Sequence, residues 1–493
     1  MNIMINFKNK KVLIFGLGIL GGGLEAAKWF YKKRAKIIIT DLKTKKELSS
    51  SLNKLKNIKA KYVLGKHRFK DIDWADILYV NPAVSYKNNF IKYALERNKE
   101  VVNDCYLFFK YAKGDIIAIT GTRGKTTTTT WIYQLLKICL KNKLLKKNSK
   151  ILLGGNQPEK SLFKILDKTN ERSISVLELS SFQLEFYQKD LKAPKIAIIT
   201  CLLRDHLNRY ESMEEYANMK AKIFINQNEN DYLILNYDNK WTKYFLNFKP
   251  KGQIYFISLK KLPKQLNGIF VKKDNLYIRD KKEFKILNLT KFKEKYGEHN
   301  IINLLFAILA IYLYIRSEDS NLVAKFFKII KKSIYKLETP QFRQEIIYKK
   351  KNLVIINDSA STTPDATIFA IKRFFKYGEI ILITGGTDKN LDFINLSKEI
   401  KNKIKPSNLI LLNGSATNKL ISELEKINYR IKKENIFENL KDAIKQAIDL
   451  AREIRKSKSI ILFSPASASF EKFKNEFDRG RKFNFYIKKY LSI

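Results

Sequence analysis

Cysteine and histidine are scarce in this chain of 493 residues, which contains three of each. Cys105, Cys139 and Cys201 lie far apart in the sequence and form no CxxC pair. A disulfide framework is therefore excluded as the basis of the fold, and the cysteine content indicates a reducing compartment. We expect the protein to be cytoplasmic.

The chain also lacks a long uninterrupted apolar run. The longest one, residues 301–315, is shorter than a membrane-spanning helix and contains Asn303. Residues 8–20 have the basic start and apolar run of a signal peptide, but the run contains repeated glycines and no small-x-small cleavage site follows. We therefore expect a soluble monomer without membrane insertion.

Acidic residues are few, with 48 Asp and Glu against 95 Lys and Arg, which gives a formal net charge of +47. A charge of this size suggests nucleic acid as a partner. The lysines are, however, spread through every segment, and no RNP, zinc-finger or helix-turn-helix signature accompanies them. We expect no nucleic acid partner, although anionic substrates would be attracted.

The most informative stretch is IAITGTRGKTTTTTW, residues 117–131. Its apolar start predicts a buried strand, Gly121 and Gly124 allow a tight loop, and the threonine run opens a helix. The backbone N–H groups of such a loop surround phosphate oxygens, Lys125 neutralises them, and the Thr126 hydroxyl is suited to Mg²⁺. The alternative is an ordinary glycine-rich turn, in which neither the lysine nor the threonine has a purpose.

The general P-loop pattern requires glycine five residues before the GK pair, where this chain has Ile119. The shorter form TGTxGKT is present instead. This form resembles the ATP loop of the Mur ligase superfamily, which usually has asparagine at the position of Arg123. The resemblance implies an ATP-dependent ligase, and folylpolyglutamate synthase, another member of the superfamily, is one alternative.

A second glycine-rich turn lies near the N-terminus. Residues 12–15 predict a strand, GLGILG at 16–21 a turn, residues 24–33 a helix, and residues 37–40 a strand that ends at Asp41. A GxGxxG turn with a later acid is typical of dinucleotide-binding units but is a weak signal by itself. An NAD(P)-dependent dehydrogenase and a turn without a ligand are the alternatives. Because a P-loop follows, we expect this domain to hold the nucleotide part of a nucleotide-linked substrate.

Two chemically active side chains follow predicted strands beside the P-loop. Glu178 comes after the strand at 175–177, and His206 lies just beyond the strand at 196–201. The carboxyl ends of parallel strands meet at one edge of a sheet, so both side chains can reach a metal ion at the phosphate loop. A lone histidine is often structural, but this position favours a functional role.

ELSSFQL at 178–184, DHLNRY at 205–210 and GGN at 154–156 resemble, in order and spacing, the Mur ligases that attach D-glutamate to UDP-N-acetylmuramoyl-L-alanine. YANMK at 216–220 resembles the segment in which that family carries a carbamylated lysine bridging Mg²⁺ and substrate. The register from Tyr216 favours Lys220, with Lys222 as the alternative. GEHNIIN at 297–303 resembles the family's GxHNxxN segment, whose second asparagine lies at the adenine.

The last third of the chain predicts another doubly wound sheet. Beyond Pro340, strands are predicted at 346–356, 380–383, 409–412 and 460–463, separated by helices, with glycine or serine loops at their carboxyl ends. A ligand is expected at those loops. NDS at 357–359, GGTDKNLDF at 385–393 and SPASASF at 464–470 resemble the C-terminal domain of the same ligases.

The resemblance implies roles for individual residues of this sequence. The implied catalytic residues are Lys125, His206, Lys220, Arg343 and Asp358. The implied ATP-binding residues are Gly121, Thr122, Gly124, Lys125, Thr126, Thr127, Asn300, Asn303, Arg343 and Asp358. The implied Mg²⁺ ligands are Thr126, Glu178, His206 and Lys220. The implied substrate-binding residues are Gly18, Ile19, Leu20, Asp41, Asn81, Asn156, Ser180, Thr362, Lys389 and Ser469.

Thr362, Lys389 and Ser469 are the residues implied to contact D-glutamate, since a small dicarboxylate requires cations and hydroxyls at converging loops. The alternative is that Thr362 and Ser469 cap helices and that Lys389 is a solvated lysine.

The chain departs from the family pattern at several positions. The family's histidine-arginine pair is Phe342-Arg343 here, so only Arg343 carries over, and Ala360 stands where some members have lysine. Leu20 replaces a turn hydroxyl, and Ala83 replaces the glycine of an NPG turn. These departures concern nucleotide and D-glutamate binding.

The sequence as a whole predicts an α/β protein of three domains. They are an N-terminal Rossmann-like domain for the UDP substrate (1–112), a central P-loop ATPase-like domain with a parallel sheet (113–338) and a C-terminal doubly wound Rossmann-like domain for the amino acid (339–493). The implied reaction is ATP-dependent amide formation through an acyl phosphate in peptidoglycan precursor synthesis, with ATP and Mg²⁺. A nucleic-acid-binding ATPase is the remaining alternative.

Overall fold

The structure is a computed structural model that describes residues 6–19, 21–156, 160–350, 352–454 and 457–492. The chain divides into two compact units, Met1–Leu337 and Glu338–Ile493. Three sheets with mainly parallel strands, separated along the chain by helices, make up these units. The predicted α/β fold class is confirmed.

The first sheet belongs to the N-terminal part of the first unit. Its elements are β1 (Lys11–Phe15), α1 (Gly22–Lys32), β2 (Lys36–Asp41), α2 (Ser49–Asn53), β3 (Lys61–Leu64), α3 (Phe69–Trp74), β4 (Ile77–Val80), α4 (Asn89–Glu96), β5 (Glu100–Val102) and α5 (Asp104–Tyr111). All five strands are parallel, in the order β3-β2-β1-β4-β5. The central strands are short apolar runs buried on both faces, as parallel strands between helices must be.

The second sheet carries the phosphate loop. Its elements are β6 (Asp115–Thr120), α6 (Lys125–Lys141), β7 (Lys150–Gly155), α7 (Leu162–Leu166), β8 (Ser173–Glu178), α8 (Ser181–Leu184), β9 (Ile196–Ile199), α9 (Met213–Ala221), β10 (Tyr232–Asn236), α10 (Thr242–Leu246), β11 (Gln253–Ser258), β12 (Gly268–Lys272), β13 (Asn275–Asp280), β14 (Lys282–Asn288), α11 (Thr290–Tyr296), α12 (Ile301–Glu318) and α13 (Val323–Ser333). The strand order is β14-β13-β12-β11-β10-β9-β6-β8-β7. Because β6 pairs in parallel with both β8 and β9, the loops that follow these three strands meet at one edge.

Helix α12 is apolar on all sides and nearly every residue of it is buried. It packs against the phosphate-loop helix α6, which explains its uniform hydrophobicity. The stretch Glu298–Glu318 is long and apolar enough to cross a membrane, but most of it is covered by the rest of the protein. This helix therefore forms part of the core of the first unit.

The third sheet forms the second unit. Its elements are β15 (Glu345–Lys350), β16 (Leu353–Asn357), α14 (Pro364–Phe374), β17 (Glu379–Gly385), α15 (Ile394–Lys403), β18 (Leu409–Leu412), α16 (Ser415–Lys426), β19 (Ile436–Phe437), α17 (Leu440–Glu453), β20 (Ser459–Phe463) and α18 (Glu476–Leu491). The order is β15-β16-β20-β17-β18-β19, with β15 antiparallel at one edge. The loops after β16, β17 and β20 consequently lie at the same end of the sheet.

Sequence patterns identified most of the strands but not β3, β7, β12, β14 and β19. Strand β14, KEFKILN, is mostly exposed and is held by its antiparallel pairing with β13. Pairing partners of this kind are invisible in a local hydrophobic pattern. The boundaries predicted for the three domains remain predictions, since the first two sheets share one compact unit.

Candidate functional site

The loop between β6 and α6 is held in a conformation that only glycine permits. Gly121 and Gly124 have φ angles of +140° and +81°. A Cβ atom on Gly121 would lie 2.0 Å from Thr200 Oγ1, and one on Gly124 would lie 2.5 Å from Asn303 Oδ1. Both glycines are therefore required by conformation and by space.

Lys125 begins helix α6 and folds back over the loop. Its Nζ donates hydrogen bonds to Gly121 O at 2.7 Å and Thr122 O at 3.1 Å. The positive end of a 17-residue helix and an ammonium group thus face the same loop. This arrangement suits the phosphate chain of a nucleotide.

Thr126 and Glu178 bring two oxygen ligands together beside the loop. Thr126 Oγ1 donates to Glu178 Oε1 at 3.1 Å, and both residues are buried. Neighbouring ligands of an octahedral Mg²⁺ ion lie about 3 Å apart, so the pair fits two positions around such an ion. Within the described ranges no three His, Cys, Asp or Glu side chains come together. A metal here would take its remaining ligands from other groups.

Lys220 is buried directly behind the phosphate loop. Its side chain lies on α9, is 1% exposed, and donates to Gly121 O at 3.1 Å and Thr120 Oγ1 at 3.5 Å. Burial, and next the positive charge of Lys125, hold the pKa of Lys220 well below its usual value. The rival Lys222 points elsewhere, because its Nζ donates to Glu185 O at 2.6 Å.

His206 follows β9 with a φ angle of +58°, in the left-handed region that few non-glycine residues adopt. Its ring contacts the rings of Phe182 and Tyr216, with centroids 4.9 and 5.8 Å away. Its Nε2 lies 3.9 Å from a carboxylate oxygen of Asp205, which also pairs with Arg123 at 3.2 Å. The histidine side chain is 39% exposed and so is accessible to a ligand.

Asn300 and Asn303 connect α12 to the phosphate-loop helix. Asn303 Oδ1 accepts a hydrogen bond from Thr128 Oγ1 at 3.2 Å, and its Nδ2 donates to Asn300 Oδ1 at 2.9 Å. Asn300 in turn donates to Tyr296 O at 2.8 Å. The amides place the start of α12 against Gly124. Thr127 is buried in the first turn of α6.

The glycine turn after β1 is supported by two polar side chains. Asp41 Oδ2 accepts from Gly18 N at 2.9 Å, and Asn81 Nδ2 donates to Gly16 O at 3.1 Å. Ile19 is 52% exposed at the tip of the turn, whereas Leu20 lies outside the described residues. The turn, Asp41 and Asn81 thus lie together beside the first sheet, and their role in substrate binding stays a prediction.

Ser180 and Asn156 lie near the end of β8. Ser180 caps helix α8 in a reciprocal pair with Gln183, and Asn156 N donates to Glu178 O at 2.9 Å. Thr129, Gly155, Asn156 and Glu178 line a small cleft beside the phosphate-loop helix. The two predicted substrate residues therefore flank the end of the same strand as Glu178.

In the second unit, Asp358 is buried at the end of β16. It accepts hydrogen bonds from Gln344 N, Ser361 Oγ and Ser464 Oγ at 3.0, 2.6 and 2.8 Å. Burial nevertheless raises the pKa of Asp358 to about 6, although these hydrogen bonds and the positive charge of Arg343 oppose the rise. Burial thus makes the charged form of Asp358 less favourable than that of an exposed aspartate.

The three residues implied for D-glutamate lie in strand-end loops of the second unit. Ser469 is 3% exposed, and its hydroxyl has no hydrogen-bond partner in the described part of the chain. Lys389 is exposed in the loop after β17. The cap residues of α14 and α18 are Thr363 and Asn475, so the alternative that Thr362 and Ser469 cap helices is wrong.

Arg479 is a residue whose role sequence reasoning missed. It is almost fully buried, and its guanidinium donates to the carbonyl oxygens of Ser359, Ser467 and Ala468 at 2.8, 3.1 and 3.0 Å. Burial lowers its pKa to about 10. Arg479 therefore ties together the loops after β16 and β20. An arginine near the start of a helix gives no local signal of such a role.

Comparisons with known proteins identify the family of the chain. The Mur ligase middle domain matches residues 119–311, and the Mur ligase MurD-like N-terminal domain matches residues 10–103. The UDP-N-acetylmuramoylalanine--D-glutamate ligase of Borreliella afzelii (strain PKo) is 37% identical over 480 residues, covering 97% of each chain. The chain belongs to the MurD family of Mur ligases.

Other MurD relatives and solved Mur ligase structures extend the match. The enzyme of the same name from Clostridioides difficile (strain 630) is 33% identical, covering 97% of this chain and 98% of the relative. The structure of MurC from Thermotoga maritima matches with a TM-score of 0.57 and 18% identity, covering 98% and 99%. That of MurF from Thermotoga maritima in complex with ADP has a TM-score of 0.52 and 13% identity, covering 99% and 100%. The structural matches support the Mur ligase fold.

Proposed function

We infer that this protein is an ATP-dependent ligase that joins D-glutamate to UDP-N-acetylmuramoyl-L-alanine in peptidoglycan precursor synthesis. The observation that carries this inference is the convergence of Lys125, the Thr126–Glu178 pair and the buried Lys220 on one loop. A phosphate loop alone would fit many nucleotide-binding proteins. A buried lysine with a lowered pKa behind the phosphate loop also fits an enzyme in which that lysine is carbamylated.

The chemistry requires activation of a carboxylate, which is a poor electrophile. A carboxylate oxygen of the UDP substrate attacks the γ-phosphorus of ATP, and ADP leaves. The amine of D-glutamate then attacks the carbonyl carbon of the acyl phosphate, loses a proton, and phosphate leaves from the tetrahedral intermediate. Lys125 and the loop N–H groups stabilise the negative charge of the phosphoryl group during the first step.

One Mg²⁺ would be held by Thr126 and Glu178. A second Mg²⁺ would be held by His206 and carbamylated Lys220. When bound, the metal neutralises charge on the phosphates and on the acceptor carboxylate. The oxygen ligands of Thr126 and Glu178 and the distance between them fit this ion.

The lowered pKa of Lys220 supports its proposed carbamylation. Only a neutral amine reacts with carbon dioxide, and a buried amine next to Lys125 is neutral at lower pH than an exposed one. The product is an anion, which the neighbouring Lys125 stabilises rather than repels. The lysine thereby changes from a buried neutral amine into an anionic metal ligand.

We further propose that the turn at 16–21 with Asp41 and Asn81 binds the nucleotide-linked substrate, and that Thr362, Lys389 and Ser469 bind D-glutamate. The unpaired, buried Ser469 hydroxyl supports a ligand at the second unit's loops, because a buried hydroxyl without a partner is costly. The three cysteines are free, in keeping with a cytoplasmic enzyme.

Phosphate release by the purified protein tests the proposal. We expect release only when ATP, Mg²⁺, UDP-N-acetylmuramoyl-L-alanine and D-glutamate are all present, with little release when L-glutamate replaces D-glutamate. Release with a folate substrate would instead indicate a folylpolyglutamate synthase. Release stimulated by nucleic acid would indicate a nucleic-acid-dependent ATPase, and reduction of NAD(P) a dehydrogenase.

A further inference from the structure

An ion pair that none of the assigned roles includes lies in the part of the chain that forms the second sheet, and its arginine also bonds to a loop of the first. Arg209 Nε and Nη2 donate to the two carboxylate oxygens of Glu185 at 2.8 and 2.5 Å. The Glu185 carboxylate is fully buried and also accepts from Tyr210 OH at 2.8 Å. The guanidinium lies over the ring of Phe182 at 4.0 Å. A fork-to-fork pair of this kind fixes direction as well as distance.

The same arginine holds the loop at 83–87, which follows Asn81. Its Nη1 donates to Ala83 O at 3.0 Å and its Nη2 to Val84 O at 2.8 Å. Asn81 in turn contacts both the glycine turn and this loop, since it donates to Gly16 O and accepts from Ala83 N. The loop therefore continues directly from the proposed site for the nucleotide-linked substrate.

A second set of contacts joins the loop to α9. Tyr86 OH donates to Glu215 Oε1 at 2.6 Å, and Lys87 Nζ lies 2.9 Å from the same carboxylate. Glu215 and Lys220 belong to the same helix. The tyrosine's pKa is raised to about 12 by burial and by this carboxylate, so the hydroxyl stays a donor.

The loop is thus bound to Arg209, Glu185 and Glu215, which lie close in the chain to three of the four proposed metal ligands. Glu185 follows Glu178 across the short helix α8, Arg209 follows His206, and Glu215 precedes Lys220. We propose that Arg209 and Glu185 are positioning residues that set the nucleotide-linked substrate against these three ligands. They act through the loop at 83–87 and touch neither substrate nor metal. This inference rests on the proposed function.

The expected signature is a loss of turnover without a loss of binding. A misplacement of the acceptor carboxylate by about 1 Å lowers the rate by up to about a hundredfold while the nucleotide contacts survive. For Arg209→Ala we expect kcat to fall about ten- to a hundredfold. The dissociation constants of ADP and of UDP-N-acetylmuramoyl-L-alanine, measured by calorimetry, should change less than about threefold.

A matched control exists in the same unit. Arg279 also forms a pair with a glutamate, Glu283 at 2.8 Å, and donates to the carbonyls of Pro263 and Leu266 at 2.6 and 3.2 Å. It lies on β13, near the far edge of the sheet from the phosphate loop. Arg279→Ala should keep kcat within about twofold of the wild type.

Tyr86→Phe, which removes one hydroxyl, serves if Arg209→Ala does not fold, and should lower kcat severalfold.

Wild-type turnover, measured in parallel, distinguishes a failure of the positioning role from a failure of the proposed function. If the wild type is active and Arg209→Ala has the same kcat, the positioning role is overturned and the proposed function stands. Equal losses in Arg209→Ala and Arg279→Ala also overturn it, since they indicate a general effect of destabilisation. A wild type without turnover on these substrates overturns the proposed function itself. If Arg209→Ala is unfolded, normal turnover by Tyr86→Phe decides against the inference.

Discussion

Replacing Lys220 by methionine tests whether the buried amine is neutral in the folded protein. Methionine has a similar length and no charge, and it adapts to irregular buried spaces. The Lys220 amine is buried beside the phosphate loop, and burial together with the charge of Lys125 lowers its pKa. The variant should be inactive, because no carbamate can form on a thioether.

The size of the expected effect follows from the pH dependence of the free energy of unfolding. The unfolded chain keeps a proton on Lys220 up to its ordinary pKa of 10.5, whereas the folded protein loses it at lower pH. Between these two values the wild type gains about 1.4 kcal/mol of stability for each unit of rising pH, because unfolding takes up a proton. The methionine variant has no such group. Its free energy of unfolding, relative to the wild type, should fall by that amount per unit.

The hydrogen bonds that are absent from the methionine variant change the stability difference between the two proteins by an amount that does not depend on pH. The slope of that difference against pH is therefore unchanged. The bonds to Gly121 O and Thr120 Oγ1 contribute to this pH-independent amount. Titrating groups that do not interact with Lys220 are common to both proteins and cancel in the comparison. The slope is therefore the property that reports on the charge of Lys220.

Urea unfolding of both proteins at a series of pH values below 10.5, in buffers free of carbon dioxide, measures this slope. Lys264→Met, the same substitution at an exposed lysine, serves as the control. A stability difference for Lys220→Met that does not vary with pH would mean that the folded protein keeps the proton. The argument for a neutral amine would then be refuted.

Three further substitutions test the remaining assignments. Lys125→Ala should reduce phosphate release by orders of magnitude with the fold intact, since a phosphate contact acts mainly on the transition state; near-normal turnover would contradict the P-loop assignment. Gly124→Ala should raise the KM for ATP about five- to thirtyfold, because the left-handed backbone costs about 1–2 kcal/mol and the new Cβ meets Asn303. An unchanged KM would show that the free loop and the ATP-bound loop carry the same strain. Lys389→Ala should raise the KM for D-glutamate by a factor equivalent to roughly 1.5–3 kcal/mol, with the KM for ATP unaltered. Equal effects on both substrates would point to a less specific defect.

Much of the fold could be predicted from local patterns of the chain. Apolar runs such as those around Ile117 and Ile381 are buried strands because no other arrangement hides so many β-branched residues between helices. The glycines of the phosphate loop and the lysine after them predict a nucleotide site, since conformation and charge are both local properties. Fold class and the family assignment followed from these segments.

Tertiary structure decided which of several similar residues take part in the candidate site. Lys220 and Lys222 are both lysines near the end of one helix, and only packing directs the first to Gly121 and the second to Glu185. The roles of Arg209 and Arg479 could not be predicted from the sequence either, because each arginine is distinguished by contacts with carbonyl groups distant in sequence. In a chain with 95 lysines and arginines, a local pattern cannot identify the cations that are buried. Burial depends on which segments the fold brings together, and burial is what changes the pKa and the pairing of a charge.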